Sequence, residues 1–233
     1  MLRLTPLLLA LLYGLVLWHF SAWRLRRELD ARSVPLADPA LQGVLGRLAA
    51  AIGVERVPVH LYEVDAVNGL AAPDGRIFLT RGFYRKFREG EVTADELASV
   101  IAHELGHVAL GHSRRRMIDF SGQNAVRIVL ATFLGRFLPG IGTWLAGLAA
   151  ALLAARLSRQ DEFEADEYAS ALLIKAGIGT GPQKSLFAKL DRLTGAAGRT
   201  PPAWLTSHPR AAERIAAIAA NEARWTGAPR RPD

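Results

Sequence analysis

The sequence predicts a mostly helical α+β fold with a small β-sheet, preceded by an N-terminal transmembrane helix. Three observations predict it. Leu4 to Trp23 contains no Lys, Arg, Asp or Glu. Two strand-like segments, Val57–Tyr62 and Arg76–Thr80, are separated by the turn signals Asn68-Gly69 and Pro73-Asp74-Gly75. Most of the remaining chain repeats its apolar residues at helical spacing. Composition agrees. A chain of 233 residues supports one sizeable core and hardly two, and 50% hydrophobic content excludes a mostly disordered protein. With no cysteine, disulfide scaffolds, Cys-ligated zinc fingers, iron–sulfur proteins and thiol catalysis are excluded. Any metal must be held by carboxylates and by some of the six histidines.

The elements follow in order. A helix over Leu4–Trp23 rises about 30 Å, the thickness of a hydrocarbon core. Trp18 and Trp23 stand where an aromatic belt belongs, and His19 lies near the interface. The sequence before Trp23 offers a poor cleavage site, so an anchor is expected rather than a removed signal peptide. Arg24, Arg26 and Arg27 follow it, which places the rest of the chain in the cytoplasm by the positive-inside tendency, on a bacterial-type inner membrane. Residues 1–33 are therefore expected to form the anchor with its basic flank, residues 34–226 a globular domain, and residues 227–233 a frayed tail.

Val34 to Pro39 reads as a linker, Leu41–Ile52 as a helix stopped by Gly53, and Thr93-Ala94-Asp95-Glu96 as a capping box opening a helix that runs to about Gly111. Further helices are expected from Ser158 to Gly177, Pro182 to Leu193 and Pro209 to Arg224. His60 alternates with Val59 and Leu61 and is expected to be structural. Residues 126–157 form two apolar arms, Val126–Leu138 and Ile141–Leu157, around a turn with Pro139, Gly140 and Gly142. Each arm is shorter than the roughly 20 residues a span prefers, so a helical hairpin within the domain is expected. The net charge of +7 is spread over separate clusters without a recognition motif, so nucleic acid is not an expected partner.

The chemistry-bearing pattern is His103-Glu104-Leu105-Gly106-His107. Histidines at i and i+4 share a helix face and reach one zinc ion, and the intervening glutamate can act as general base toward a water. A catalytic zinc takes a third protein ligand. His112 lies roughly 100° around the helix from His107 and should not reach the same ion. Glu162 is the better candidate, with Asp166 on the same face of the downstream helix. One carboxylate can ligate while the other accepts the second N–H of a ligating histidine. A solvated acidic face is the alternative.

These motifs resemble the HtpX-like and CAAX-prenyl-endopeptidase family of zinc metallopeptidases, of gluzincin type. The shared residues are His103-Glu104-x-x-His107, Glu162-x-x-x-Asp166, Asn68-Gly69-Leu70-Ala71 with Gly75 to Gly82, and Ser207-His208-Pro209 with Arg214-Ile215. The resemblance covers about Val57 to Ile218. It implies a zincin-like metallopeptidase domain with one zinc ion on His103, His107 and Glu162, Glu104 as base, and Asp166 in support. Gly69 departs from the family, where alanine is usual, and is expected to leave the zinc chemistry untouched.

The resulting expectation is a membrane-anchored zinc endopeptidase in protein quality control. Its partners are unfolded or membrane-associated polypeptides and the lipid bilayer. Asn68, Arg76, Ile77, Phe78 and Leu79 form the expected edge for an extended substrate. His208 is a candidate for the fourth zinc position or for oxyanion stabilisation, or else simply starts the last helix. Arg214 either pairs with a site carboxylate or serves packing. The competing class is a membrane-anchored chaperone or adaptor with a closed structural zinc site, which would have no use for Glu104.

Overall fold

The computed structural model describes residues 5–72, 74–112, 141–193 and 211–226. The elements are α1 (Thr5–Arg32), β1 (Ser33–Pro35), α2 (Pro39–Ile52), β2 (Val59–Tyr62), β3 (Gly69–Ala71), β4 (Ile77–Thr80), α3 (Arg81–Arg88), α4 (Ala94–Ala109), α5 (Gly142–Lys175), α6 (Gly181–Leu193) and α7 (Ala211–Thr226). The chain divides into a unit of residues 1–31 with 112–158 and a second of residues 32–111 with 159–233. The mostly helical α+β expectation holds.

In the first unit, α1 exposes Leu12, Tyr13, Leu15, Val16, Phe20 and Trp23, and Ile141, Trp144 and Leu148 are exposed at the start of the second segment. Among the described residues no helix is long and apolar enough to cross a membrane. The expected N-terminal segment is thus helical, but its role as a span gains no support from the structure. The hairpin's first arm lies outside the described residues. Its second arm is no separate helix: α5 runs unbroken from Gly142 to Lys175, without the boundary expected at Ser158. No Gly or Pro interrupts residues 148–176, so nothing in the sequence stops the helix there.

The second unit is built on a four-stranded mixed sheet of order β1-β2-β4-β3. β1 is antiparallel to β2, β2 parallel to β4, and β3 antiparallel to β4 with Leu70 opposite Phe78. β1 occupies the expected linker. Its Pro35 is tolerated because an edge strand has N–H positions that need no partner. β3 occupies the expected Asn68-Gly69 turn. The expected substrate edge is also corrected. Ile77, Phe78 and Leu79 are fully buried in β4, which lies between β2 and β3. Their continuous apolar run fits a strand covered on both faces. The open edge beside β4 is β3, where Asn68 stands at its start. Arg76 precedes β4, pairs with Asp74 at 2.8 Å and lies over the Phe78 ring at 5.3 Å. His60 packs against the same ring, with centroids 5.2 Å apart.

Helix α2 is capped by Asp38, which accepts from Ala40 N at 2.8 Å, and it ends at Gly53 with φ 72°. The Tyr84 hydroxyl of α3 donates to the same carboxylate at 2.5 Å. α4 has the full capping box: Glu96 N donates to Thr93 Oγ1 at 3.2 Å and Thr93 N to Glu96 Oε2 at 2.8 Å. Leu41, Leu48, Ile77, Leu79, Leu97, Ile101 and Leu173 form the fully buried centre of the core. They clamp α4 between the sheet, α2 and the end of α5.

Glu96 also ties the start of α4 to α6, accepting from Ser185 Oγ and Lys189 Nζ at 2.7 Å each. Burial pushes its carboxyl up, but Lys189, the Thr93 N–H and Ser185 outweigh this and hold it below the ordinary value of 4.5. A depressed folded pKa contributes stability that is present above the unfolded value and lost as pH falls through the folded one. Glu96→Gln should therefore be less stable than wild type at pH 7, by about 1 kcal/mol from the weakened cap and ion pair. The gap should close as pH is lowered below about 4, which paired urea titrations at both pH values would measure.

Candidate metal centre

Helix α4 presents His103 and His107 one turn apart, and α5 brings Glu162 to meet them. His103 Nε2 and His107 Nε2 are 3.1 Å apart, and each lies 3.4 Å from an oxygen of Glu162, the first from Oε2 and the second from Oε1. The two rings meet edge to face with centroids 4.7 Å apart. Their exposures are 3%, 8% and 1% for His103, His107 and Glu162. Three buried donors from three side chains thus converge within 4.8 Å of one another. Two imidazoles and a carboxylate are a donor set suited to zinc, and burial of all three would be costly without a cation between them.

Behind His103 stands Asp166, one turn after Glu162. Its Oδ1 lies 3.0 Å from His103 Nδ1. A carboxylate there accepts the Nδ1–H and leaves Nε2 as the donor facing His107 and Glu162. Arg214 of α7 donates to both oxygens of Asp166, through Nε and Nη2 at 2.6 Å each. Burial raises the Asp166 carboxyl, but the Arg214 guanidinium and His103 outweigh it and hold it below its ordinary range. For His103, burial favours the neutral ring, yet the Asp166 and Glu162 carboxylates more than offset this and raise its pKa to about 9. Below that pH the metal-free site keeps a proton on His103, which a bound cation displaces.

The backbone carbonyl of Asp166 is held as well. Ser170 Oγ donates to it at 2.8 Å and Gln183 Nε2 at 3.3 Å. Ser170 and Gln183 read in the sequence as ordinary polar helix positions, and only their burial at 0% and 1% marks them.

The expected residues thus divide as follows. His103, His107, Glu162, Asp166 and Arg214 come together, and Glu104 is buried beside them on α4. His112 is buried and, as its position around the helix implies, is not part of this donor triangle. Arg76, Ile77, Phe78 and Leu79 are placed elsewhere, as described. His208 lies outside the described residues.

Two glycines are functional positions that the sequence reading undervalued. A Cβ on Gly106 would lie 3.0 Å from the Ala165 carbonyl oxygen, 3.1 Å from its Cα and 3.3 Å from Tyr168 Cβ. Gly106 therefore lets α4 and α5 touch backbone to backbone between the histidines and Glu162. A Cβ on Gly69 would fall 2.7 Å from Val100 Cγ1 and 3.3 Å from Glu104 Oε1. Gly69 thus borders Glu104, the residue expected to act as base, whereas the expectation set it apart from the chemistry. The bulk of Gly106→Val would push α5 outward and open the donor triangle. That variant should lose at least about 10-fold in metal affinity, the range seen when supporting groups of a metal site are removed, as read by metal content after dialysis.

Residues 35–222 match peptidase family M48. Metalloprotease LoiP of Escherichia coli (strain K12) is 32% identical over 81% of this chain and 73% of its own length. Metalloprotease YcaL of the same strain is 32% identical over 73% of this chain and 65% of its own. The beta-barrel assembly-enhancing protease of that strain is 28% identical over 82% of this chain and only 40% of its own, so this chain spans less than half of that relative. The buried His103–His107–Glu162 triangle, the HExxH helix that carries it and these matches place the chain in peptidase family M48, as a metallopeptidase.

Proposed function

We propose that the chain is a zinc-dependent endopeptidase, with one zinc ion per chain on His103, His107 and Glu162, acting on unfolded or membrane-associated polypeptides. The observation that carries this is the buried triangle with Asp166 fixing the far nitrogen of His103 and Glu104 adjacent on the same helix. A zinc ion there supplies Lewis acidity toward the scissile carbonyl and the attacking water. Glu104 takes a proton from that water and delivers it to the leaving amine as the C–N bond breaks. Asp166 keeps a proton on His103 Nδ1 throughout, so the imidazole stays in one tautomer. His208 remains a candidate for stabilising the oxyanion.

The open edge of β3 supports binding of an extended chain. Thr80 N donates to Asn68 O at 3.1 Å and Ala72 N to Arg76 O at 2.9 Å. The alternate residues Gly69 and Ala71 consequently turn their backbone groups away from β4. A substrate strand pairing there gains main-chain hydrogen bonds that ask little of its sequence, as a quality-control enzyme needs. Asn68 Oδ1 accepts from Gly69 N at 3.0 Å, so an incoming carbonyl competes with this carboxamide. The name of one relative, a protease that enhances assembly of β-barrels, fits a role on polypeptides that have not reached their final state.

The uncharged run Leu4–Trp23 and the arginines after it support attachment of the chain to a bilayer through α1, with the peptidase unit on the cytoplasmic face of an inner membrane.

Two measurements test these readings. Detergent-purified wild type should cleave casein, and Glu104→Gln should lose at least about 100-fold in rate while keeping its zinc, the range for loss of a general base. Undiminished cleavage by Glu104→Gln would sink the mechanism. Because the chain has no cysteine, Glu55→Cys at an exposed site gives a single label position. In intact spheroplasts it should resist a membrane-impermeant maleimide and react after lysis. Labelling before lysis would reverse the orientation.

A further inference from the structure

Arg214 reaches the site from α7, and its surroundings set it apart from the other ion pairs of that helix. The residue is 1% exposed, with its guanidinium carbon 4.1 Å over the ring centroid of Phe187 on α6. Besides the fork onto Asp166, Nη2 lies 3.3 Å from His103 Nδ1 and 3.9 Å from Glu162 Oε2. One guanidinium thus stands against two of the three proposed ligands and the carboxylate that orients one of them. Other polar ties of α7 among the described residues include the exposed pairs Arg159 with Glu213 and Arg224 with Glu167 and the half-buried pair Lys184 with Glu222. Such pairs contribute little in water. The apolar seat of α7 is a small cluster of Phe187, Leu190 and Ile218, with Ala211 and Ile215 against it, separate from the main core.

We infer that docking of α7 and binding of the metal are a single coupled equilibrium, with Arg214 as the positioning residue that joins them. The path is short. Arg214 fixes both oxygens of Asp166, Asp166 fixes the Nδ1 side of His103, and Nε2 is thereby aimed at the place where His107 and Glu162 converge. With α7 undocked, Asp166 loses its fork and the His103 ring its fixed orientation, so the metal binds a less organised triangle. Linkage requires the reverse in equal measure: a cation that binds the organised triangle better tightens the docking of α7 by the same factor. Helix α7, seated on that small separate cluster, is the element whose equilibrium both partners bias. The inference rests on the reading of His103, His107 and Glu162 as the zinc site.

The test uses the full chain and zinc itself. Zinc affinity is measured by competition with a chromophoric chelator for wild type, Arg214→Lys and Arg214→Ala. Amide hydrogen exchange over Ala211–Thr226 is followed with and without zinc. Arg214→Ala should bind zinc about 10- to 100-fold more weakly, the effect expected for removal of a supporting partner of a metal site. Arg214→Lys should recover only part of this, because a single ammonium cannot fork onto both oxygens. In wild type, zinc should slow exchange in α7, and in Arg214→Ala zinc should leave it unchanged. Should Arg214→Ala fail to fold, the lysine variant and the wild-type exchange decide. Wild-type zinc affinity in either variant, or α7 exchange in wild type indifferent to zinc, overturns the coupling while leaving the zinc site intact. A wild type that takes up no zinc, or a Glu162→Ala variant that binds it unweakened, removes the zinc reading and the coupling together.

Discussion

The site depends on how closely α4 and α5 approach at Gly106. The histidines come from one helix and Glu162 and Asp166 from another. With the Ala165 backbone only 3.0 to 3.1 Å from where a Gly106 Cβ would stand, the two helices pack closely beside the carboxylates and imidazoles that meet. The rest of the second unit serves this contact. The core residues Leu97, Ile101 and Leu173 hold the same two helices from behind, and the Glu96 cap fixes where α4 begins.

The charges around His103 then organise themselves. Asp166 and Glu162 are carboxylates in a dry environment, where each alone would be strongly disfavoured. Arg214 answers the first, and in the metal-free protein the imidazolium of His103, held up to about pH 9, answers both. A divalent cation held by His103, His107 and Glu162 would take the place of that proton. The buried cluster therefore remains near charge balance in both states, which is how four ionisable side chains can stay below 4% exposure in a fold of ordinary stability. Arg214 enters this balance from α7, through its fork onto both oxygens of Asp166.

Much of this was legible in local sequence, and what was not has a common cause. The HExxH spacing, the Thr93–Glu96 capping box, the stop at Gly53 and the Glu162–Asp166 pair are all patterns within one or two turns of chain, where helix geometry alone dictates what shares a face. That Glu162 meets His103 is a contact between distant segments, and it was reached through the need for a third ligand and through family resemblance. The misreadings are tertiary too. Asn68-Gly69 carries a turn signature but forms a strand, because Gly69 is there for close approach to Val100 rather than for a turn. β1 hides behind prolines that only an edge strand permits. The unbroken Ile77-Phe78-Leu79 run of β4 marks a strand covered on both faces rather than an edge. In α3 the charged residues conceal the anchoring Phe83. At Ser158 a change from apolar to charged composition resembles a boundary, yet α5 runs through it, because only the backbone decides where a helix ends.

The inner position of β4 leaves β3 as the strand beside Glu104. β3, outermost on that side among the described residues, carries Gly69, which packs against Glu104 and Val100. A polypeptide added to that edge, as proposed, would lie alongside the helix that carries His103, Glu104 and His107. The absence of a side chain at Gly69 has a double effect. It lets the edge strand come this near to α4, and it leaves the Glu104 carboxylate bordered by backbone rather than by a methyl group. Residue 69 therefore sets the spacing between β3 and Glu104, and in the proposed reaction, which depends on placing a carbonyl beside a base, that spacing matters most.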